Sequence, residues 1–372
     1  VADDREVLYT AQSLLTVERK LLNQTADSVG TGTGIMPIDI AAAATTASTL
    51  GDDQAAAVLG ITSAGDRVAV MIGRAGTGKT HTLGTVRSIY ETAGWDVIGL
   101  APSARAAREL VDGAGIESTT LARHLVEQRT ITATTLVVVD EAGMAGTREL
   151  AAIVDQAATT GAKVLLVGDD RQLPEVAHGG AFRAVQATLG DRVVELTVNR
   201  RQRHEWERQA LDQLRAGNVA AAFAAYCDHG RVILADDPAD IHGIALADWL
   251  DTRASGAEVL MLAGLRSEVR LLNRHARTLL TEQGLLDTTG EVEFAGRKYT
   301  AGDEVVLRRN HPHQHLATGE PFSVDNGMRG VITTVSPDHM TLRITTGEDV
   351  VLERSYLERG WVDHAYANTI HT

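Results

Sequence analysis

The stretch VAVMIGRAGTGKTHT, residues 68–82, decides the fold class of this chain. Its first five residues are apolar and predict a buried strand, whereas Lys79 and Thr80 open a predicted helix. The turn between them is rich in glycine, so the pattern G-x-x-x-x-G-K-[ST] stands in the strand–loop–helix context of a phosphate-binding loop, or P-loop. A chance match is the alternative, because glycine makes up 35 of the 372 residues. The flanking strand and helix disfavour that alternative, and the stretch predicts a nucleotide-binding α/β domain.

Each part of this P-loop has a predicted contact with a nucleotide. The glycines let the backbone curl so that its N–H groups point at phosphate oxygens, and the helix N-terminus adds its positive dipole end. Lys79 supplies a full positive charge, and Thr80 is placed to put its hydroxyl on Mg²⁺. The predicted nucleotide-binding residues of the stretch are Gly73, Ala75, Gly76, Thr77, Gly78, Lys79, Thr80 and His81.

Composition limits the classes to which the protein can belong. With 44% hydrophobic and 23% charged residues, the chain has the balance of a soluble α/β protein of two or three domains. No apolar run approaches the roughly 20 residues of a membrane span. The single cysteine, Cys227, predicts a reducing, cytoplasmic location and a buried thiol without a catalytic role. Because the net charge is −14, a nucleic-acid-binding surface would have to concentrate its arginines along one groove.

The first half of the chain alternates predicted strands and helices. Residues 1–50 form a helical leader, with one helix at 10–22 and an alanine- and threonine-rich helix after the glycine-rich linker 29–34. From residue 51 short apolar strands alternate with amphipathic helices, which indicates a parallel sheet covered on both faces. The predicted strands are 68–72, 97–101, 136–139, 164–167 and 193–195, and the clearest helices are 80–92 and 104–114.

The second half begins with the same kind of alternation and then changes. The predicted elements there are a helix at 201–216, a strand at 232–235, a helix at 239–254, a strand at 259–263 and a helix at 267–283. Residues 285–360 instead alternate apolar and polar positions between turn signals, with strands at 304–308, 329–335, 340–345 and 349–353. This pattern predicts a small β-barrel inserted into a second α/β unit, to which the chain returns at 361–372.

Two carboxylates follow the predicted strand 136–139 and complete a candidate site for phosphoryl transfer. Asp140 fits the task of holding Mg²⁺, and Glu141 fits that of orienting the attacking water. The alternative is a strand end capped by solvated acids. Gln172, after the next strand, can contact a γ-phosphate with its amide, although on spacing alone a polar turn that caps a helix is the better explanation of that segment.

Two further residues have predicted roles that depend on this site. Gln54 precedes the P-loop strand, and a glutamine amide can pair with the N6/N7 edge of adenine. The segment 199–202, Asn-Arg-Arg-Gln, opens the second α/β unit, and one of its arginines can act as an arginine finger, a guanidinium that stabilises charge on a transferring phosphate. Each has a simpler alternative, since surface glutamines and solvated arginines at helix starts are common.

As an ordered set, these motifs resemble those of superfamily 1 helicases, and the resemblance covers essentially residues 8–372. The matching segments are 73–80 (motif I), 140–144 (motif II), 168–174 (motif III), 196–202 (motif IV), 53–54 (Q motif), 101–107 (motif Ia) and 119–122 (region Ib). The subgroup is the 5′→3′ class that contains RecD. The leader and the motif II sequence Asp-Glu-Ala-Gly-Met are similar to the helicase half of TraI/TrwC-type conjugative relaxases.

The resemblance implies a fold and an activity. It implies two RecA-like domains, the second incomplete, with an SH3-like barrel inserted at 285–360; the implied limits are 1–50 for the leader, 51–195 for the first domain, and 196–284 with 361–372 for the second. The implied activity is ATP-dependent 5′→3′ translocation on single-stranded DNA with Mg²⁺, in company with other conjugation or repair proteins. The implied catalytic residues are Lys79, Glu141, Gln172 and Arg201, with Thr80 and Asp140 on the metal and Gln54 on adenine.

The resemblance also implies DNA contacts and one alternative function. The implied DNA-contacting residues are Pro102, Ser103, Arg105, Thr369 and His371. Motif V stops before its usual Gln-Gly and motif VI is missing, so we expect the chain alone to be incomplete for full ATPase activity. The alternative is a scaffold that binds single-stranded DNA with little hydrolysis, but the intact P-loop favours the motor. A P-loop kinase or GTPase would have neither a second RecA-like unit nor a Gln172 motif.

Overall fold

Contacts divide the chain into two units, Val1–His229 and Gly230–Thr372. The computed structural model of the protein describes residues 11–127, 129–169 and 180–369. Residues 196–229, which the sequence assigns to the second RecA-like domain, lie in the first unit. The domain limits given above remain predictions.

The first unit contains ten α-helices and six strands in its described part. The helices are α1 (Gln12–Ala26), α2 (Ile38–Ala47), α3 (Asp52–Ser63), α4 (Lys79–Thr92), α5 (Ala104–Ala114), α6 (Leu121–Glu127), α7 (Thr147–Thr160), α8 (Ala181–Leu189), α9 (Glu205–Arg215) and α10 (Val219–Asp228). The strands are β1 (Val68–Gly73), β2 (Asp96–Ala101), β3 (Ser118–Thr120), β4 (Thr135–Val139), β5 (Lys163–Gly168) and β6 (Val194–Leu196).

The six strands form one parallel sheet in the order β3-β2-β4-β5-β1-β6. Side chains of β1 point alternately to its two faces: Val68, Val70 and Ile72 enter one apolar core, and Met71 enters the other. Burial on both faces explains why these strands are almost continuously apolar. The predicted parallel sheet and its five predicted strands are confirmed, and β1, which carries the P-loop, lies between β5 and β6.

The predicted leader packs on the body of the first unit. Leu21 of α1 is fully buried in the core beneath α7 and α8. Met36 and Ala41 of the following segment join the core on the opposite face of the sheet. The leader therefore covers both sheet faces, and its helix α2 packs on α3 and on α4, the helix that follows the P-loop.

Lys163, the first residue of β5, is buried although it is charged. Its side chain is fully enclosed, and its Nζ donates hydrogen bonds to the carbonyl oxygens of Ala64 at 2.6 Å and Ile61 at 3.1 Å. Burial lowers the pKa of Lys163 from 10.5 to about 8, and the Asp66 carboxylate acts weakly in the opposite direction. Lys163 thus supports the end of α3.

The depressed pKa of Lys163 predicts a pH-dependent stability. Between about pH 8 and pH 10.5 the unfolded chain binds the proton that the folded chain has lost, so folding stability rises with pH in this window and falls as pH returns to 8. Relative to Lys163→Met, the wild type should gain about 3 kcal/mol of unfolding free energy across the window. Urea unfolding at pH 7.5, 9 and 10.5 measures this difference, with Lys20→Met as the exposed control. A difference that does not change with pH would contradict the prediction.

The second unit has a small α/β part and a larger β part. Its helices are α11 (Pro238–Ala254), α12 (Arg266–Glu282) and α13 (Arg354–Leu357). Its strands are β7 (Met261–Ala263), β8 (Val292–Phe294), β9 (Arg297–Tyr299), β10 (Glu304–Leu307), β11 (His311–Leu316), β12 (Pro321–Val324), β13 (Arg329–Val335), β14 (His339–Ile344), β15 (Asp349–Glu353), β16 (Val362–His364) and β17 (Ala367–Thr369).

Seven of these strands form an antiparallel sheet in the order β12-β11-β15-β14-β13-β10-β16. The four strands predicted from alternation, 304–308, 329–335, 340–345 and 349–353, are all present within one residue at each end. The described strand pairs do not join β12 to β16, so closure into the predicted barrel is not seen in this part of the chain. The structure does contain a β-rich segment, at residues 292–364, which follows α12.

A parallel pair, β7 and β17, packs with α12 in the rest of the second unit. Asn273 of α12 is buried and exchanges two hydrogen bonds with the backbone of Ala367, at 2.9 and 3.0 Å. These bonds hold β17 against the helix. Among the described residues, the chain therefore pairs again with a strand of the α/β part after the β-rich segment.

Two predictions from sequence are wrong. Residues 232–235 are not a strand, and Ile233 and Leu234 are exposed. A strand needs a hydrogen-bonded neighbour, and no strand of the described chain pairs with this run. Cys227 is exposed and not buried, because the face of α10 that carries it is turned to solvent. Across the described residues, no helix combines the length and apolar character needed to cross a membrane.

Candidate nucleotide-binding site

The predicted site residues of the first unit collect at one edge of the parallel sheet. The P-loop follows β1, Pro102 follows β2, Asp140 follows β4, and Thr197 follows β6. Because these strands are parallel, their carboxyl ends meet at the same edge, which is where open α/β sheets bind ligands. This topology explains why residues distant in sequence converge on the P-loop.

The P-loop backbone leaves room for its lysine. A Cβ added to Gly73 would lie 2.4 Å from Cγ of Lys79, so a side chain at residue 73 would displace the lysine stem. Gly78 has a φ of +82° and directly precedes α4, a conformation that L side chains rarely adopt. The loop is closed by Thr77, whose hydroxyl donates to the carbonyl of Arg74 at 2.8 Å. Ala75 is exposed at the tip of this turn.

Lys79 and the two motif II carboxylates come together at the end of β4. Nζ of Lys79 lies 3.1 Å from Oε1 of Glu141 in a half-buried ion pair. Glu141 has a φ of +49°, a strained backbone conformation for a glutamate, and its N–H donates to Oδ1 of Asp140 at 2.9 Å. Burial raises the pKa of Asp140, and the charge of Lys79 opposes that rise.

The oxygen donors here fit a hard divalent cation. The Thr80 hydroxyl lies in the first turn of α4, and Asp140 offers a carboxylate whose burial already disfavours its negative charge. Hydroxyl, carboxylate and phosphate oxygens are the ligands that Mg²⁺ prefers. A cation at Asp140 would offset the electrostatic cost of burying that carboxylate.

Gln54 is committed to the P-loop in this structure. Its side chain is 2% exposed, and its Nε2 donates to the carbonyls of Thr77 at 3.1 Å and Gly78 at 3.2 Å. Its Oε1 accepts from the N–H of Gly51 at 3.0 Å. Both ends of the amide are therefore in use, and the predicted contact with adenine would require the bonds to Thr77 and Gly78 to break.

We therefore expect Gln54→Ala to weaken the binding of adenine and guanine nucleotides to the same extent. The substitution removes one donor from each of two P-loop carbonyls, which keep their hydrogen bonds from Arg200 and Thr82. The loss costs about 1 kcal/mol, so affinity for ATP and for GTP should each fall roughly fivefold. Competition with a fluorescent nucleotide measures both affinities. Gln24→Ala, which removes a glutamine bonded to Asp155 far from the P-loop in sequence, serves as the control. A loss confined to ATP would instead support the adenine contact.

Arg201 lies in the same unit as the P-loop and is exposed. A Cβ added to Gly76 would lie 2.6 Å from Cβ of Arg201. Arg201, the predicted arginine finger, therefore packs directly against the P-loop. Its neighbour Arg200, for which no role is predicted from sequence, contacts both the P-loop and Asp53. No sequence signal links residues 53 and 200, because the two positions meet only through folding.

The remaining predicted residues are more scattered. Ser103 caps α5 by accepting from the N–H of Ala106 at 3.1 Å, and exposed Arg105 pairs with Glu109. His81 is exposed and within 3.1 Å of the Thr49 hydroxyl. Thr369 ends β17 in the second unit. Gln172 and His371 lie outside the described residues.

Comparisons with known proteins agree with this architecture. A family model described as an AAA domain matches residues 49–237, about half of the chain. The conjugal transfer protein TraA of Rhizobium radiobacter is 33% identical over 98% of this chain and 33% of that protein. The ATP-dependent RecD2 DNA helicase of Deinococcus radiodurans is 35% identical over 31% of this chain and 17% of its own length.

The multifunctional conjugation protein TraI of Escherichia coli K12 is 33% identical over 36% of this chain and 8% of that protein. The chain thus spans a third or less of the length of each of these relatives. The chain belongs to the AAA domain family, and it is similar to the conjugal transfer protein TraA, the RecD2 DNA helicase and the conjugation protein TraI over the shares given above.

Proposed function

We propose that the chain is the motor part of a conjugative relaxase, which hydrolyses ATP to move 5′→3′ along single-stranded DNA. The observation that carries this proposal is the meeting of Lys79, Asp140 and Glu141 beside the P-loop. A phosphate cradle, a metal carboxylate and a second carboxylate are the parts that nucleotide hydrolysis needs. The names of the relatives, a conjugal transfer protein and a DNA helicase among them, support the same activity.

Each residue of this group has a role in the proposed reaction. Lys79 neutralises the β- and γ-phosphates, and its move toward them releases Glu141 to orient the attacking water. Thr80 and Asp140 would hold Mg²⁺, which when bound would supply positive charge beside the phosphates. Arg201 stabilises the same charge from the 199–202 segment, and Gln172 contacts the γ-phosphate.

The proposed DNA path runs across residues that follow strand ends. Pro102, Ser103 and Arg105 follow β2 at the same sheet edge as the P-loop, and we place Thr369 and His371 on the DNA from the second unit. The second unit is proposed to be a RecA-like domain in which 292–364 is an SH3-like insertion. We infer a cytoplasmic location from the DNA substrate and the single cysteine.

ATP hydrolysis by the full-length protein, measured with and without single-stranded DNA, tests the proposal. We expect a low basal rate that DNA stimulates, and displacement of a block from the 3′ end but not from the 5′ end of a bound strand. Displacement from the 5′ end would reverse the proposed polarity. Tight DNA binding with no hydrolysis would overturn the motor and support the scaffold instead.

A further inference from the structure

Asp53, at the start of α3, gathers a segment that lies far away in sequence. Its Oδ2 accepts hydrogen bonds from the backbone N–H groups of Thr197 and Val198, each at 3.0 Å. Its Oδ1 accepts from Nη2 of Arg200 in a short ion pair. The carboxylate therefore fixes both the backbone that leaves β6 and the arginine that follows.

Arg200 in turn is attached to the P-loop. Its backbone N–H donates to the carbonyl of Gly76 at 2.7 Å, and its Nη1 donates to the carbonyl of Thr77 at 3.1 Å. The Asp53 side chain is 11% exposed and that of Arg200 is 31% exposed, so solvent screens the pair less than it would a surface pair. We call Asp53 and Arg200 the brace.

The brace stays charged under all ordinary conditions. Burial raises the pKa of Asp53, but hydrogen bonds from Arg200 and from the N–H groups of Val198 and Thr197 outweigh burial and hold the pKa at about 2. The guanidinium of an arginine side chain is always charged in proteins. The ion pair is therefore a permanent feature of the folded first unit.

Arg201 is placed by the same segment. The Asn199 side-chain oxygen accepts from the N–H groups of Arg201 at 3.0 Å and Gln202 at 3.3 Å, which makes a tight turn. The Cβ of Arg201 lies against Gly76, whose carbonyl accepts the hydrogen bond from the Arg200 N–H. Because Arg200 and Arg201 are consecutive residues, a shift of the Arg200 backbone along the loop also moves the backbone of Arg201.

We propose that the Asp53–Arg200 brace is a positioning device that holds Arg201 at the P-loop, so that Arg200 acts on hydrolysis only through Arg201. The inference rests on the proposed function, because it needs Arg201 to act on the transferring phosphate. Misplacement of a catalytic group by about 1 Å can cost up to about 10²-fold in rate. Arg200 is therefore expected to affect kcat more than KM.

A double-mutant cycle on the full-length protein tests this role. Arg200→Ala should lower the DNA-stimulated kcat by about tenfold or more in the wild-type background, with KM for ATP changed by less than about threefold. In the Arg201→Ala background the same substitution should lower kcat by less than about twofold. Asp53→Asn should act in the same direction and be non-additive with Arg200→Ala. Arg203→Ala, an exposed arginine in the same segment, is the matched control and should leave kcat unchanged.

The outcomes separate this inference from the proposed function. If Arg200→Ala slows hydrolysis by the same factor in both backgrounds, the positioning role is overturned while the motor stands. If Arg201→Ala alone leaves hydrolysis unchanged, the arginine-finger assignment fails and the inference fails with it. Melting temperatures of the variants check that each is folded, and Arg200→Lys, which keeps the charge but not the forked donor, should show an intermediate loss of kcat.

Discussion

Lys79→Ala is expected to lower the DNA-stimulated rate of ATP hydrolysis by about 10³-fold. Lys79 is the charged group of the P-loop, and its stem runs past Gly73 so that the ammonium reaches the end of β4. Removing it takes away the positive charge that balances the triphosphate. It also leaves Glu141 without its partner at 3.1 Å, so a half-buried carboxylate would then face the phosphates unpaired.

Two binding measurements on Lys79→Ala distinguish a loss at the nucleotide site from a general loss of function. Affinity for ATP should fall together with kcat, because both the ground state and the transition state lose a charge-assisted contact. Affinity for single-stranded DNA without nucleotide should stay within about threefold of the wild type. Lys20→Ala removes an exposed lysine that pairs with Asp155 and should change neither rate nor affinity. Hydrolysis by Lys79→Ala at the wild-type rate would show that this P-loop is not the catalytic site.

Glu141→Gln is expected to lower kcat by about 10³-fold, within the range for loss of a general base, while ATP binding is kept. The amide has nearly the shape of the carboxylate but cannot take a proton from water. The substitution also frees Lys79 from its ion pair, so affinity for ATP should be equal to that of the wild type or higher.

The opposite effects on ATP affinity distinguish Glu141 from Lys79. Single-turnover hydrolysis and equilibrium ATP binding measure the two quantities separately. Glu117→Gln, at an exposed glutamate paired with Arg129, is the control for loss of a negative charge. If Glu141→Gln hydrolyses ATP normally, the role of orienting water belongs to another residue and Glu141 serves only to hold Lys79.

The outline of the first unit follows from local patterns. The P-loop and the apolar strands that precede Pro102, Asp140 and Asp169 are visible because a buried parallel strand needs a continuous apolar run. The carboxyl-edge location of the site then follows from parallel topology alone. The β-rich segment of the second unit is predictable for a similar reason, since strict alternation marks strands with one buried face.

Other features could not be predicted because they depend on contacts between distant residues. The strand predicted at 232–235 is absent, since apolar composition cannot supply a pairing partner. Buried Lys163 stands at the start of β5 and gives no sign in the sequence that two carbonyls near the end of α3 will surround it. The same holds for Cys227, whose exposure depends on which face of α10 is covered.

The P-loop shows most clearly what each level of structure decides. The sequence by itself determined that residues 73–80 carry the pattern of a phosphate-binding loop and that Asp140 and Glu141 follow an apolar strand, because these are properties of contiguous residues. Only the tertiary structure decided that Glu141 holds Lys79, that Gln54 binds the loop backbone, and that Arg200 joins Asp53 to Thr77. Hydrogen bonds and ion pairs act over about 3 Å, and which groups come within that distance is settled by the packing of the whole sheet.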